Sequence, residues 1–68
     1  MFQKNEFRAA LARNNMTLDD VAKALEITPP TVSRKINGQG DFFRYEIEKL
    51  CQLLNLTPEE TLKIFFAV

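Results

Sequence analysis

Residues 17–38, TLDDVAKALEITPPTVSRKING, decide how this chain folds. Thr17 and Thr28 are residue types that commonly cap helix N-termini, and each precedes a short segment with apolar residues at helical spacing. Pro29 follows at a first helical position, where a missing N–H costs nothing, and Gly38 suits the left-handed conformation that often ends a helix. The stretch therefore predicts two short helices joined by a tight turn.

The two helices are expected to touch through an apolar stripe and to leave a polar stripe in solvent. Ala22 is small enough to let the second helix approach the first. The residues expected at the contact are Val21, Leu25, Ile27, Val32 and Ile36. Those expected on the solvent side of the second helix are Thr28, Thr31, Ser33, Arg34 and Lys35. A helix that buries one stripe and exposes a short polar and basic one is the physical form of a helix-turn-helix DNA reader.

This segment resembles the helix-turn-helix of the lambda-type phage repressor and Cro family. The matching residues are Thr17, Ala22, Leu25, Ile27, Thr28, Val32, Ser33, Arg34, Asn37 and Gly38. The resemblance extends over nearly the whole chain, because the family places two more helices after this motif. It implies a non-enzymatic, sequence-specific regulator, a phage or prophage repressor or Cro-like protein that occupies an operator on double-stranded DNA and blocks polymerase.

Length and composition indicate one small domain. The chain has 68 residues, so we expect a single domain over residues 1–68. One cysteine, Cys51, excludes an intramolecular disulfide and suits a reducing cytosol, so a cytoplasmic location is expected. No segment approaches the roughly 20 apolar residues of a membrane span. Without histidine, the cysteine and carboxylates form no recognisable zinc motif, and we expect neither a metal nor a cofactor.

The charge distribution is only weakly informative. The formal net charge is zero, which counts against a strong nucleic-acid binder. Residues 1–40 carry six Lys/Arg and four Asp/Glu, whereas residues 41–68 carry three and five, so the two parts have charges of +2 and −2. This asymmetry permits a local basic face.

Three further helices complete a predicted all-α, compact, five-helix domain of the lambda-repressor-like type. The first is expected over residues 6–14, with Asn5 as its N-cap. Its buried face is predicted to contain Phe7, Ala10 and Leu11. The fourth is expected over residues 44–55, where apolar residues recur at i, i+3, i+4 and i+7. That face consists of Ile47, Leu50, Cys51 and Leu54.

The fifth helix begins at Thr57–Glu60, which combines an N-cap, a proline at the first helical position and a capping-box glutamate. Leu62, Phe65 and Phe66 are expected on its apolar face. Because adjacent helical residues cannot both point inward, one of Phe65 and Phe66 should be exposed. Relatives often pair through this end, which implies a homodimer interface at Phe65 and Phe66, formed mainly on DNA. The alternative is an isolated apolar residue on the surface.

The resemblance also assigns residues to DNA contacts. The positions that read bases or phosphates hold Thr28, Pro29, Pro30, Thr31, Ser33 and Arg34. The positions that contact phosphates hold Thr17, Lys35, Asn37 and Arg44. Arg34 is the sharpest candidate, because a guanidinium can donate two parallel hydrogen bonds to guanine O6 and N7. The alternative is a solvated arginine on an amphipathic helix.

Two departures from the family leave a second function open. Leu18 stands where many relatives carry a phosphate-binding glutamine, and Pro29 and Pro30 stand where many carry long amide side chains. Proline donates no hydrogen bond, although its ring can contact a thymine methyl group. The alternative is a helix-turn-helix fold that serves as a protein-binding module, such as an anti-repressor or antitoxin. Enzymatic activity is not expected, because no activated nucleophile or paired carboxylates stand out.

Overall fold

The computed structural model describes residues 2–66, which form five α-helices and no strand. The helices are α1 Lys4–Arg13, α2 Leu18–Leu25, α3 Pro29–Ile36, α4 Arg44–Leu53 and α5 Pro58–Phe65. Helix α2 packs against both α3 and α4, and α1 packs against α5. The predicted all-α, five-helix fold is confirmed. No helix within residues 2–66 is long and apolar enough to cross a membrane.

Two helices begin with the reciprocal cap that the sequence predicted. The Thr17 hydroxyl accepts the Asp20 N–H at 3.2 Å, and the Asp20 carboxylate accepts the Thr17 N–H at 2.9 Å. Thr57 and Glu60 form the same pair of bonds at the start of α5, at 3.1 and 3.0 Å. Each capping box satisfies two backbone donors at a helix start, one of them among the first-turn N–H groups that lack an intrahelical acceptor.

Helix α1 begins earlier than predicted, and Asn5 is not its N-cap. The cap is Gln3, whose backbone N–H donates to the Ile64 carbonyl at 2.7 Å. This bond fixes the start of the chain against α5 and places Asn5 inside the first turn of α1. Helix α4 ends at Leu53, two residues before the predicted end, and Asn55 adopts a left-handed conformation with φ 52°.

The hydrophobic core draws on all five helices. Its buried side chains are Phe7, Ala10, Leu11, Val21, Ala22, Leu25, Val32, Ile36, Leu50, Leu54, Ile64 and Phe65. Phe2 and Phe42, half-buried, join Phe7 and Phe65 in a ring cluster whose centroids lie 5.3–6.4 Å apart. This phenylalanine cluster connects the N-terminal segment, α1, the loop before α4 and α5.

The apolar face of α5 differs from the predicted one. Ile64 and Phe65 are buried, whereas Leu62 is 60% exposed and Phe66 is 56% exposed. The inward face runs through Thr61, Ile64 and Phe65, at spacings of three and four residues. Leu62 and Phe66 lie one turn apart on the outer side of the helix. The predicted common face of Leu62, Phe65 and Phe66 is therefore wrong.

Candidate nucleic-acid interface

The turn between α2 and α3 is short and strained at one residue. Glu26 ends α2 in the left-handed conformation, with φ 58° and ψ 40°. Its N–H donates to the Lys23 carbonyl at 3.2 Å, and the Ile27 N–H donates to the Ala22 carbonyl at 3.0 Å. With Ala22 buried at the contact, the turn sets α3 against α2 as a helix-turn-helix.

Helix α3 buries Val32 and Ile36 and exposes most of its N-terminal half. Among the candidate reading residues, Thr28, Pro29, Pro30 and Arg34 are exposed, and Thr31 and Ser33 are half-buried. Thr28 is the N-cap by position, but its hydroxyl does not bond to the helix backbone. It forms a hydrogen bond with the Thr31 hydroxyl at 2.8 Å. A solvent-facing pair of hydroxyls thus lies at the start of α3.

The Arg34 side chain is exposed and forms no ion pair or side-chain hydrogen bond with any residue in the range 2–66. Behind it, α3 ends in a Schellman motif. Gly38, with φ 83°, donates its N–H to the Lys35 carbonyl at 3.3 Å, and Gln39 donates to the Arg34 carbonyl at 2.8 Å. Asn37 is exposed, and its Oδ1 accepts a long hydrogen bond from Lys4 Nζ at 3.4 Å.

Lys35 does not lie on the solvent side of α3, contrary to the sequence-based expectation. Its side chain is only 10% exposed, and Nζ contacts Glu46 Oε1 at 2.9 Å and donates to the Asp41 carbonyl at 3.0 Å. The ammonium group also lies over the Phe43 ring, 4.3 Å from its centroid. A phosphate could reach this ammonium only by displacing these partners, so Lys35 is a poor phosphate ligand. The predicted phosphate contact at this position is corrected accordingly.

Glu46 is the residue that sequence reasoning missed. It is 1% exposed, and Oε1 accepts both the Lys35 ammonium and the Phe43 N–H, the latter at 2.8 Å. Oε2 is buried with no hydrogen-bond partner among the described residues. Its position offered a signal, because a glutamate three residues after a helix N-cap commonly binds the cap's N–H. Nothing in the sequence paired it with Lys35.

The start of α4 carries an exposed basic and aromatic surface. The Arg44 side chain is 94% exposed and pairs loosely with Glu48 at 3.5 Å. Phe43 and Tyr45 flank it, both exposed, with their rings stacked at a centroid distance of 5.9 Å. Backbone N–H groups at a helix start favour an anion, which makes Arg44 a suitably placed phosphate ligand.

Thr17, the remaining phosphate candidate, is exposed, but its hydroxyl is engaged in the cap of α2. Besides accepting the Asp20 N–H, it donates to Asp20 Oδ2 at 3.0 Å. The Thr17 backbone N–H, followed by this hydroxyl, lowers the pKa of Asp20 below its usual value. A carboxylate therefore stays charged beside Thr17, which weakens the electrostatic case for a phosphate there.

The arrangement of α2 and α3 agrees with a comparison against known families. The model of the Cro/C1-type HTH DNA-binding domain matches residues 6–66. The chain belongs to this family. No curated protein and no solved structure matches it significantly.

A Cro/C1-type domain is a non-enzymatic module that binds double-stranded DNA, so this chain is a DNA-binding regulator. The match begins inside α1 and ends just after α5, so the five helices together form the domain. Within it, α2 and α3 are the helix-turn-helix, and α3 is the helix that such motifs place against base edges.

Proposed function

We propose that this protein is a phage or prophage repressor or Cro-like regulator that recognises an operator by inserting α3 into the major groove. The observation that carries the proposal is the two-sided character of α3. Val32 and Ile36 are buried against the domain, while Arg34 and the residues at the start of α3 face solvent. Helix-turn-helix proteins contact base edges with the N-terminal part of this helix.

Base recognition is assigned to the exposed side of α3, from its N-cap Thr28 to Arg34 in its last turn. Arg34 is the specific reader, because its guanidinium has no competing carboxylate among residues 2–66 and can bond guanine O6 and N7 together. Thr31 and Ser33 hydroxyls bond bases or phosphates, and the Thr28 hydroxyl is available on the same side. The exposed rings of Pro29 and Pro30 supply apolar contact to thymine methyl groups.

Backbone contacts are assigned to Arg44 and Asn37, with Thr17 as a weaker member. Arg44 and Asn37 are exposed at the start of α4 and the end of α3, so they flank the reading surface along the chain. Phosphate contacts of this kind fix the register of a protein on the duplex and carry no sequence information. Lys35 is excluded from this set, because its ammonium is paired inside the domain.

The homodimer interface is assigned to the outer side of α5. Phe65 is buried in the phenylalanine cluster, so Phe66 and the neighbouring Leu62 are the residues available to a second copy. Operators of this kind are read as two half-sites about 34 Å apart, which a two-fold dimer matches. A patch of two side chains is small, so pairing is expected mainly on DNA.

The direct test is operator selection from a random DNA library, followed by footprinting of the wild type and of Arg34→Ala. The variant should retain its fold within about 0.5 kcal/mol, because the side chain is exposed. It should lose roughly 1–3 kcal/mol of affinity per half-site and relax the preference at one base pair. Lys49→Ala removes the same charge from an exposed site on α4 and should keep the preference.

Equal losses for Arg34→Ala on operator and random DNA would show that Arg34 contacts a phosphate.

A salt titration of the wild type separates DNA recognition from the protein-binding alternative. With Arg44 as the cationic phosphate ligand of each subunit, a bound dimer neutralises two phosphates, so the log–log slope should be about −2. No binding to DNA even at low salt would favour an anti-repressor or antitoxin role instead.

Two substitutions on α5 test the dimer. Phe66→Ser should leave the melting temperature unchanged and weaken cooperative binding to the two half-sites. Phe65→Ser should lower the melting temperature, because it removes a ring from the buried cluster. If sedimentation and footprinting show no effect of Phe66→Ser on pairing, the interface lies on another surface of the domain.

A further inference from the structure

A buried ion pair joins the end of the recognition helix to the start of α4. Lys35 lies in the last turn of α3, Glu46 lies in the first turn of α4, and Nζ and Oε1 are 2.9 Å apart. The same ammonium binds the Asp41 carbonyl, and the same carboxylate oxygen accepts the Phe43 N–H. Two side chains thus hold α3, the intervening loop and α4 together.

Stability alone does not explain this pair. Desolvating two charges costs about as much as their attraction returns, so apolar residues of similar size would stabilise such a site equally well or better. Glu46 adds a further cost, since its Oε2 is buried with no partner among residues 2–66. An ion pair with directional hydrogen bonds also restricts the relative geometry of the elements that it joins.

We propose that Lys35 and Glu46 are positioning residues for DNA binding, in an inference that rests on the proposed function. Their pair fixes the start of α4 relative to α3. Arg44, two residues before Glu46 and 94% exposed, then meets a phosphate while Arg34 meets a base edge. Lys35 contributes to DNA affinity through Arg44 and does not touch DNA itself.

The positioning role predicts that Glu46→Gln weakens DNA binding, whereas the change in net charge alone predicts that it strengthens binding. Replacing Glu46 with glutamine removes a negative charge, and a less negative protein ordinarily binds DNA more tightly. Glu46→Gln retains an oxygen that can accept the Phe43 N–H, so the cap at the start of α4 can persist. It removes the charge that holds the Lys35 ammonium, so the junction loosens. We therefore expect weaker DNA binding, by about tenfold near 0.1 M salt.

The experiment is a salt titration of binding to a random-sequence DNA duplex by wild type, Glu46→Gln, Arg44→Ala and the double variant. Arg44→Ala should make the slope per bound protomer shallower by about 1, the loss of one phosphate contact. Glu46→Gln should produce the same change although it leaves Arg44 in place. The double variant should show no further change, because both substitutions remove the same contact.

Glu59→Gln is the matched control, since it removes an equal charge from an exposed side chain that forms no ion pair within residues 2–66. Its affinity should not fall. Circular dichroism and melting of every variant establish that each is folded at the titration temperature. A folded Glu46→Gln variant with an unchanged slope, or with increased affinity, overturns the positioning role, as does an Arg44→Ala variant with the wild-type slope. Absence of salt-dependent binding by the wild type overturns the proposed function itself, and the positioning role with it.

Discussion

Two neighbouring regions of this domain are held together by different kinds of interaction. The corner, residues 17–38, contains α2, the turn and α3, and it is built from apolar packing and backbone caps between residues close in sequence. The junction, residues 39–46, links α3 to α4. It is held by the Lys35–Glu46 ion pair and by Phe42 in the phenylalanine cluster. The corner fixes the orientation of α3 against α2, and the junction fixes the start of α4 beside α3.

The difference matters for DNA binding, because the two regions fix different parts of the interface. Packing in the corner turns Arg34 outward, whatever happens at α4. Under the proposed positioning role, the placement of Arg44 depends on the Lys35–Glu46 pair, which reaches across the junction. A loss of packing in the corner should therefore weaken the fold and the base contacts together, whereas loss of the Lys35–Glu46 pair can leave a folded protein with altered backbone contacts.

The largest expected effect comes from the phenylalanine cluster that supports the junction. Phe7 is fully buried, and its ring is within 6.4 Å of the ring centroids of Phe2, Phe42 and Phe65. Phe7→Ala should lower the free energy of unfolding by about 3–5 kcal/mol. A domain this small has little more than that, so most of the variant should be unfolded near 25 °C. Urea and thermal melts followed by circular dichroism measure the effect.

Phe66→Ala is the control for this experiment, because it removes a ring that is more than half exposed. Its unfolding free energy should change by less than about 0.5 kcal/mol. If the two alanine variants melt alike, the cluster does not stabilise the domain, and the contrast between junction and corner loses its physical basis.

A larger side chain at the contact of α2 and α3 should damage the corner. Ala22 is 2% exposed, so Ala22→Leu forces the two helices apart and should cost about 1–3 kcal/mol of stability. Ala9→Leu adds the same atoms at an exposed position of α1 and should change stability by less than about 0.5 kcal/mol. Equal melting temperatures for the two variants would mean that the corner tolerates separation of its helices.

The corner was predictable from sequence because its determinants are local. The Thr17 cap, the small Ala22 and the left-handed Gly38 all act within a few residues, so their order along the chain is enough to place α2 and α3. The same holds for the capping box of α5. Where a boundary depends on a distant contact, prediction failed. Helix α1 begins at Lys4 because Gln3 bonds to Ile64, and no local pattern contains that bond.

The residues of the candidate site also divide into those whose exposure follows from local spacing and those whose burial depends on a distant contact. The exposure of Arg34 follows from helical spacing within α3, and the structure agrees with it. The burial of Lys35 does not follow, since it depends on Glu46, eleven residues away and on another helix. On α5, spacing alone allowed two registers, and packing in the phenylalanine cluster selected the one with Phe65 inside. A charged residue on an amphipathic helix can therefore be placed from sequence only when no distant counter-charge competes for it.

Relieving the backbone strain in the turn between α2 and α3 should modestly raise the free energy of unfolding. Glu26 has φ 58°, a conformation that costs a residue with a Cβ about 1 kcal/mol and costs glycine nothing. Glu26→Gly should therefore raise the unfolding free energy by about 0.5 kcal/mol after the greater chain entropy of glycine is subtracted. Glu26→Ala removes the same carboxylate but keeps the Cβ, so it should give no gain. A stabilised alanine variant would assign the effect to charge instead of backbone strain.

The smallest expected effect is the loss of stability at low pH when Asp20, in the cap at the start of α2, becomes protonated. Hydrogen bonds from the Thr17 N–H and hydroxyl lower the pKa of Asp20 in the folded protein, so the unfolded chain binds this proton more tightly. The stabilisation is therefore complete at neutral pH and is lost as the pH falls through the ordinary aspartate pKa of about 3.9 and then through the lower folded pKa. The melting temperature of the wild type should thus fall more on acidification than that of Asp20→Asn, which has no carboxylate to protonate. Asp19→Asn, in the same turn, keeps the Thr17–Asp20 bonds and should retain the wild-type acid sensitivity. Parallel acid profiles for wild type and Asp20→Asn would show that this cap contributes no charge-dependent stability to the corner.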